Sequence, residues 1–125
     1  MAKAFIQSEH RYNVALITIK KGNKVLGKVL YCNSLLSRAS GLMFRKKQMA
    51  LIELPFESRT MADIHTLFMR FTLDLYWLDS KMRVISVKKQ VKRFCYAHAC
   101  KKSKYILEAP SGLLKLKLND RLSTA

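Results

Sequence analysis

Apolar residues recur along this chain in short runs and alternations separated by turn residues. Val14 to Lys20 is apolar and β-branched. Val25 to Tyr31 is similar, with Val25, Val29 and Tyr31 placed around Gly27. Between them lies Lys21-Gly22-Asn23-Lys24. Gly and Asn tolerate positive φ, so the segment reads as a hairpin over 14–31. Asn33 or Ser34 can cap a short helix, Leu35 to Ser40, ended by Gly41 in the left-handed position. Met49 to Leu54 is an apolar run that Pro55 should end. Ile64 to Phe71 and Leu73 to Leu78 follow as strands, Asp79-Ser80-Lys81 makes a tight turn, and Met82 to Val87 returns. Lys104 to Ala109 is the next strand, stopped by Pro110-Ser111-Gly112. Leu113 to Leu118 reads two ways. Leu114, Leu116 and Leu118 alternate with Lys115 and Lys117, yet so short a Leu/Lys run also suits one or two helical turns. The pattern predicts about six to eight strands and one or two short helices. The expected class is α+β, mainly antiparallel β, a compact barrel-like or sandwich domain.

Composition agrees with one domain over residues 1–125. A chain of 125 residues, half of them hydrophobic and 26% charged, has enough material for one core. Four glycines and two prolines argue against collagen-like, linker-like and disordered readings. No apolar run approaches the roughly 18–20 residues of a membrane span. The opening Met1-Ala2-Lys3-Ala4-Phe5-Ile6-Gln7 is too polar for a signal peptide. Three cysteines, an odd number, do not suit a secreted disulfide framework. Cys32 reads as a reduced core or edge thiol. A cytoplasmic protein with no membrane span is expected.

Charge adds a second layer. The net charge is +16, from 24 Lys plus Arg against 8 Asp plus Glu. Residues 81–104 carry basic residues and no acid, whereas five acids fall within 48–80. The basic stretch interleaves Lys88, Lys89, Lys92 and Arg93 with Phe94 and Tyr96, then continues through Lys101, Lys102 and Lys104. Cations that neutralise phosphate beside aromatics that stack on bases suit single-stranded nucleic acid. The competing reading is a solvated, solubilising loop. Cys95, His98 and Cys100 put three soft ligands within six residues, but the spacing matches no standard zinc finger and supplies only three of about four ligands. No metal and no cofactor is therefore expected.

Three ordered motifs carry a family resemblance. Arg38-Ala39-Ser40-Gly41-Leu42-Met43-Phe44-Arg45 resembles the R-x-x-GLMFR signature of the domain of unknown function 192 family. Ile64-His65-Thr66-Leu67-Phe68-Met69-Arg70-Phe71-Thr72-Leu73-Asp74-Leu75 is similar to its I-H-T-F-F-M-R-F-P-I-D-V segment, and Tyr105-Ile106-Leu107-Glu108-Ala109-Pro110-Ser111-Gly112 to its L-E-x-P-x-G element. The resemblance covers about 34–122, with the hairpin packed on that core. Thr72 replaces the family's usual Pro, Ser80-Lys81 an Asp-Gly-like turn, and Asn119-Asp120 the usual Gly-Asp. The resemblance implies a small β-rich α+β domain and no assigned activity.

Candidate chemistry centres on His65 and Asp74. A carboxylate beside an imidazole fixes its tautomer and can raise its pKa toward neutrality, as acid–base catalysis needs. Asp74 also lies inside an apolar strand, where an unpaired carboxylate is costly, and Arg70, Arg38 or Arg45 are available partners. Arg38 and Arg45 flank the Gly41 turn, where guanidinium forks suit phosphate or carboxylate. Glu108 is expected at an edge or paired with an arginine, with a second buried acid as the alternative. Met43, Phe44, Phe68, Met69, Phe71, Tyr76 and Trp77 are most simply core. The leading reading is a noncatalytic binding or accessory module with Arg38, Arg45, His65, Arg70, Asp74 and Glu108 as a polar or ligand-contacting cluster. The alternatives are a basic nucleic-acid-associated protein using residues 81–104, and a hydrolase-like enzyme using His65 and Asp74. An unidentified protein partner is compatible with the first.

Overall fold

Gly22 and Asn23 make a two-residue turn between β1 (Ala15–Lys21) and β2 (Lys24–Cys32). Gly22 takes φ +62°, which a β-carbon would oppose, and this is the conformation that a tight hairpin of this twist requires. The computed structural model describes residues 15–33, 48–65, 71–92 and 95–124. The expected helix over 35–40 lies outside them, as do Val14 and residues 66–70 of the strand expected over 64–71.

The remaining strands are β3 (Met49–Ser58), β4 (Ile64–His65), β5 (Leu73–Leu78), β6 (Val84–Val91), β7 (Tyr96–Ala97), β8 (Ser103–Pro110) and β9 (Ser123–Thr124). Seven form one sheet in the order β9-β1-β2-β3-β8-β5-β6, and β4 pairs with β7 in a small separate ribbon. All neighbours are antiparallel except β2 and β3, which run parallel with Val29 opposite Met49 and Cys32 opposite Ile52. Parallel neighbours need a long crossover, and sixteen residues separate Cys32 from Met49. Pro55 does not end β3. The strand continues to Ser58, and its register against β8 shifts between Glu53 and Ser58, the kind of irregularity that tolerates a missing N–H.

The sheet curls into a half-barrel. Its two edges are tied by the C-terminal segment. Val84 N donates to Asp120 O, Asn119 N to Val84 O and Leu122 N to Met82 O, and β9 then pairs Ser123 and Thr124 with Lys20 and Ile19 of β1. Ile19, Val29, Leu51, Tyr76, Leu78, Val84, Leu107 and Leu122 fill one face of this curl. Leu114 and Leu116 join them while Lys115 and Lys117 stay exposed, so the period-two reading of 113–118 holds for these four residues without a regular element forming. Leu118 breaks the alternation and is exposed. The Tyr76 hydroxyl donates to Leu114 O at 3.1 Å and anchors that plug.

The other face packs Leu30, Cys32, Ala50, Ile52, Leu73, Leu75, Trp77 and Ile106 against Ala62, Ile64, Ala97 and Ala99. The β4–β7 ribbon and a single 3-10 turn, Thr60–Ala62, thus cover the sheet from outside. The Trp77 indole donates to Ala62 O at 2.8 Å, and each large side chain buried here contributes roughly 1.5–3 kcal/mol. The described residues contain no α-helix, so among them the domain is mainly β rather than α+β.

Candidate functional site

Asp74 is buried and fully engaged. Its Oδ1 accepts Gln90 N at 2.9 Å and Ser111 Oγ at 3.1 Å, and its Oδ2 accepts Gly112 N at 3.0 Å. Gln90 and Gly112 both have positive φ, +57° and +83°. The carboxylate therefore clamps two irregular backbone positions, one on β6 and one in the turn after β8. The arginines that the sequence offered as partners, Arg38, Arg45 and Arg70, lie outside the described residues.

Glu108 is the unusual group. It lies on β8 between Ala50 of β3 and Leu75 of β5, and only 5% of it is exposed. The expected edge exposure is absent because β8 lies inside the sheet, with a strand on either side. No described residue hydrogen-bonds its carboxyl. Loss of water pushes its pKa up from 4.5 to about 7, since burial penalises the charged form.

These two acids do not meet. Leu75 and Glu108 share the outer face with Trp77 and Ile106, whereas Asp74 pairs with Ala109 on the inner face with Tyr76 and Leu107. The backbone of His65 is in β4, on the ribbon that packs against the outer face through Ile64. The structure thus places Asp74 and the ribbon on opposite sides of the sheet, while Arg38, Arg45, Arg70 and the His65 side chain lie outside what it describes.

Cys95 and Cys100 are exposed, and His98 turns to Asp63, Nδ1 to Oδ2 at 3.1 Å. Asp63 also accepts Ala99 N at 2.8 Å. Among the described residues no three His, Cys, Asp or Glu side chains gather as a metal site. Asp63, which fastens the β7 side of the ribbon, escaped sequence reasoning because nothing local marks a partner 36 residues away.

The basic stretch divides. Lys88, Lys89 and Lys92 are exposed on β6 and just after it, with the Lys89 ammonium 5.6 Å from the centre of the Tyr76 ring. Lys101 and Lys102 are exposed at the other end of the sheet, before β8 begins. Lys88 sits level with Glu108, about 17 Å along β8 from Ser103. Lys104 is committed internally, to Leu54 O at 2.7 Å and Glu53 Oε2 at 3.4 Å. Arg93 and Phe94 lie outside the described residues.

Most of the described acids are spent on backbone donors. Asp74, Asp79 and Asp63 accept backbone N–H groups, as does Glu57 from Ser80 N, and Glu108 is buried. Glu53 pairs with Lys104 at 3.4 Å and Asp120 with Lys21 at 3.0 Å.

Against known proteins, residues 16–124 match the model of the domain of unknown function 192, described as uncharacterized ACR. The chain belongs to the domain of unknown function 192 family. A UPF0127 protein of Pyrococcus furiosus is 33% identical over 111 residues, covering 86% of this chain and 95% of that one. A UPF0127 protein of Thermococcus kodakarensis is 37% identical over 102 residues, covering 80% of this chain and 64% of that one. A Novosphingobium aromaticivorans protein of unknown function superposes with TM-score 0.70 at 17% identity, covering 88% of this chain and 84% of that one. A Sinorhizobium meliloti protein described as a candidate transcription regulator superposes with TM-score 0.76 at 14% identity, covering 89% and 95%. At these identities the two structures establish the fold alone. No activity is assigned to the family by these matches. The departure at Asn119 from the family's usual Gly has a physical reading: Asn119 takes φ +74°, and Asn is among the residues that best tolerate that region. Among the described residues no helix is long and apolar enough to cross a membrane.

Proposed function

We propose that this protein is a noncatalytic binding module whose ligand-contacting group is the Glu108 carboxyl. The observation that carries this reading is the placement of Glu108 inside the sheet, 5% exposed, with burial raising its pKa to about 7. Such a group is costly unless something supplies a donor. A small molecule bearing an amine, amide N–H or hydroxyl would supply it and would bind against the outer sheet face. Noncatalytic is favoured over hydrolase-like because Asp74 is engaged by three donors and lies on the opposite face from β4. The test is a thermal-shift screen with amino acids, polyamines and aminosugars on wild type and Glu108→Gln. A compound that raises the Tm of wild type and not of the variant supports the reading. A set of compounds that all act equally on both, or on neither, removes it.

A second reading is favoured by a separate observation, the engagement of most acids by backbone amides. Exposed Lys88, Lys89, Lys92, Lys101 and Lys102 would then attract a polyanion, nucleic acid first. Fluorescence anisotropy with single-stranded RNA, single-stranded DNA and duplex DNA at two salt concentrations tests it. Binding that persists near physiological salt with a preference among the three, and that Lys88→Ala with Lys89→Ala weakens, is the supporting result. Equal binding of any polyanion that vanishes at that salt reduces the charge to background.

A further inference from the structure

The mouth of the half-barrel at the β1–β2 turn carries an open cleft of about 710 Å³. Closure of the sheet builds it. The segment 119–124 bridges β6 to β1, and so brings Arg121 and Ser123 beside Ser80 and Lys81 of the β5–β6 turn and beside Tyr105 of β8.

The chemistry of this lining is cationic and rich in donors. Arg121 Nε donates to Lys81 O at 3.2 Å, which fixes the guanidinium against the β5–β6 turn that carries the second cation. The acids nearby are Glu57, Asp79 and Asp120, and each accepts backbone N–H groups, Glu57 Oε2 that of Ser80 at 3.1 Å. Asp79 Oδ1 accepts Lys81 N and Arg83 N, both at 2.9 Å, and Asp120 Oδ2 accepts Lys117 N at 2.8 Å and pairs with Lys21 at 3.0 Å. Partial burial and the Glu53 charge both raise the Tyr105 pKa, so its phenol remains a hydrogen-bond donor at neutral pH. Two cations, a phenol and hydroxyls suit a compact dianion better than a neutral ligand.

We propose that this cleft binds the phosphate group of a small phosphorylated molecule, with Lys81 and Arg121 as its charge partners. The cleft is broad and open to solvent, and its volume exceeds what a bare phosphate fills. The half-buried Met82 and Tyr105 side chains offer an apolar surface for the remainder of the ligand. The cleft is separate from Glu108. Tyr105 packs with the inner cluster, whereas Glu108 shares the outer face. Either site can therefore fail without the other.

The test is an NMR titration of the full chain, labelled with nitrogen-15, at physiological chloride, using inorganic phosphate and ribose 5-phosphate as probes. The expected result is saturable shifts confined to the amides of residues 22, 80–82 and 121–124. Lys81→Gln and Arg121→Gln should each weaken binding about tenfold. Lys115→Gln, an exposed cation elsewhere, should leave it unchanged. The same spectra report whether each variant is folded, and Lys81→Gln alters only an exposed turn side chain. Shifts that fail to saturate, that spread to Lys88, Lys89, Lys101 and Lys102, or that persist at wild-type affinity in the folded variants overturn the proposal.

Discussion

Asp74 and Glu108 stand one register step apart on adjacent strands and face opposite sides of one sheet. Leu75 pairs with Glu108, and Asp74 pairs with Ala109. Because side chains alternate along a strand, that single step separates a carboxylate clamped by three donors from one without a hydrogen bond from a described residue. The two acids accordingly have different chemistry despite similar burial, and mutation should tell them apart.

Glu108 should make stability depend on pH in the direction opposite to an ion-paired acid. Its folded pKa is raised from 4.5 to about 7, so between those values the folded state holds more proton than the unfolded state. Stability is then fully present below about pH 4.5 and falls as pH rises through about 7. At about 1.4 kcal/mol per unit the contribution is about 3 kcal/mol. Urea unfolding of wild type and Glu108→Gln at pH 5, 6, 7 and 8 should show the variant gaining on wild type as pH rises. Parallel pH profiles would mean that Glu108 ionises freely in the folded state.

Asp74→Ala should be much more damaging. It leaves Gln90 N, Gly112 N and the Ser111 hydroxyl without their acceptor. The expected loss is about 3 kcal/mol or more, because bonds to a charged acceptor are worth roughly 1.5–3 kcal/mol each. Amide exchange at Gln90 and Gly112 should accelerate more than at Leu107. A loss below about 1 kcal/mol would mean that the two positive-φ positions hold themselves.

Trp77 is the single tryptophan, 2% exposed, and so reports on the outer core. Trp77→Phe removes its bond to Ala62 O and some core volume. The expected cost is about 2–4 kcal/mol by chemical denaturation followed by circular dichroism. A near-neutral result would show that the 3-10 turn packs without that bond.

The cysteines should divide by exposure. Cys95 and Cys100 are exposed, and Cys32 is 1% exposed on the outer-face cluster. An aromatic disulfide reagent should titrate two thiols rapidly in the native protein and the third only as the chain unfolds. Rapid reaction of all three would show that the β2 end opens readily.

Much of the strand content was legible because its signals are local. Gly22-Asn23 dictated the first hairpin, and the run Leu73–Leu78, apolar except at Asp74, became a strand buried along its whole length. Pro55 misled as a strand terminator because the consequence of a missing N–H depends on the partner strand, and β8 accommodates it with an irregular register. The edge exposure expected of Glu108 failed for the same kind of reason, and its alternative, a buried acid, is what the fold holds. The sequence around Glu108 resembles an edge, but β3 and β5 both pair with β8, and only pairing partners decide which strand is central.

By itself, the sequence determined the family, the mainly β character, the hairpin and the excess of positive charge. Each of these follows from residue types, spacing and composition. The tertiary structure alone decided which carboxylate is clamped and which is left without a described partner, because that depends on register across strands up to 38 residues apart in sequence. It also decided that residues 119–124 close the curl between β6 and β1, and so form a cationic cleft from side chains that no local pattern brings together.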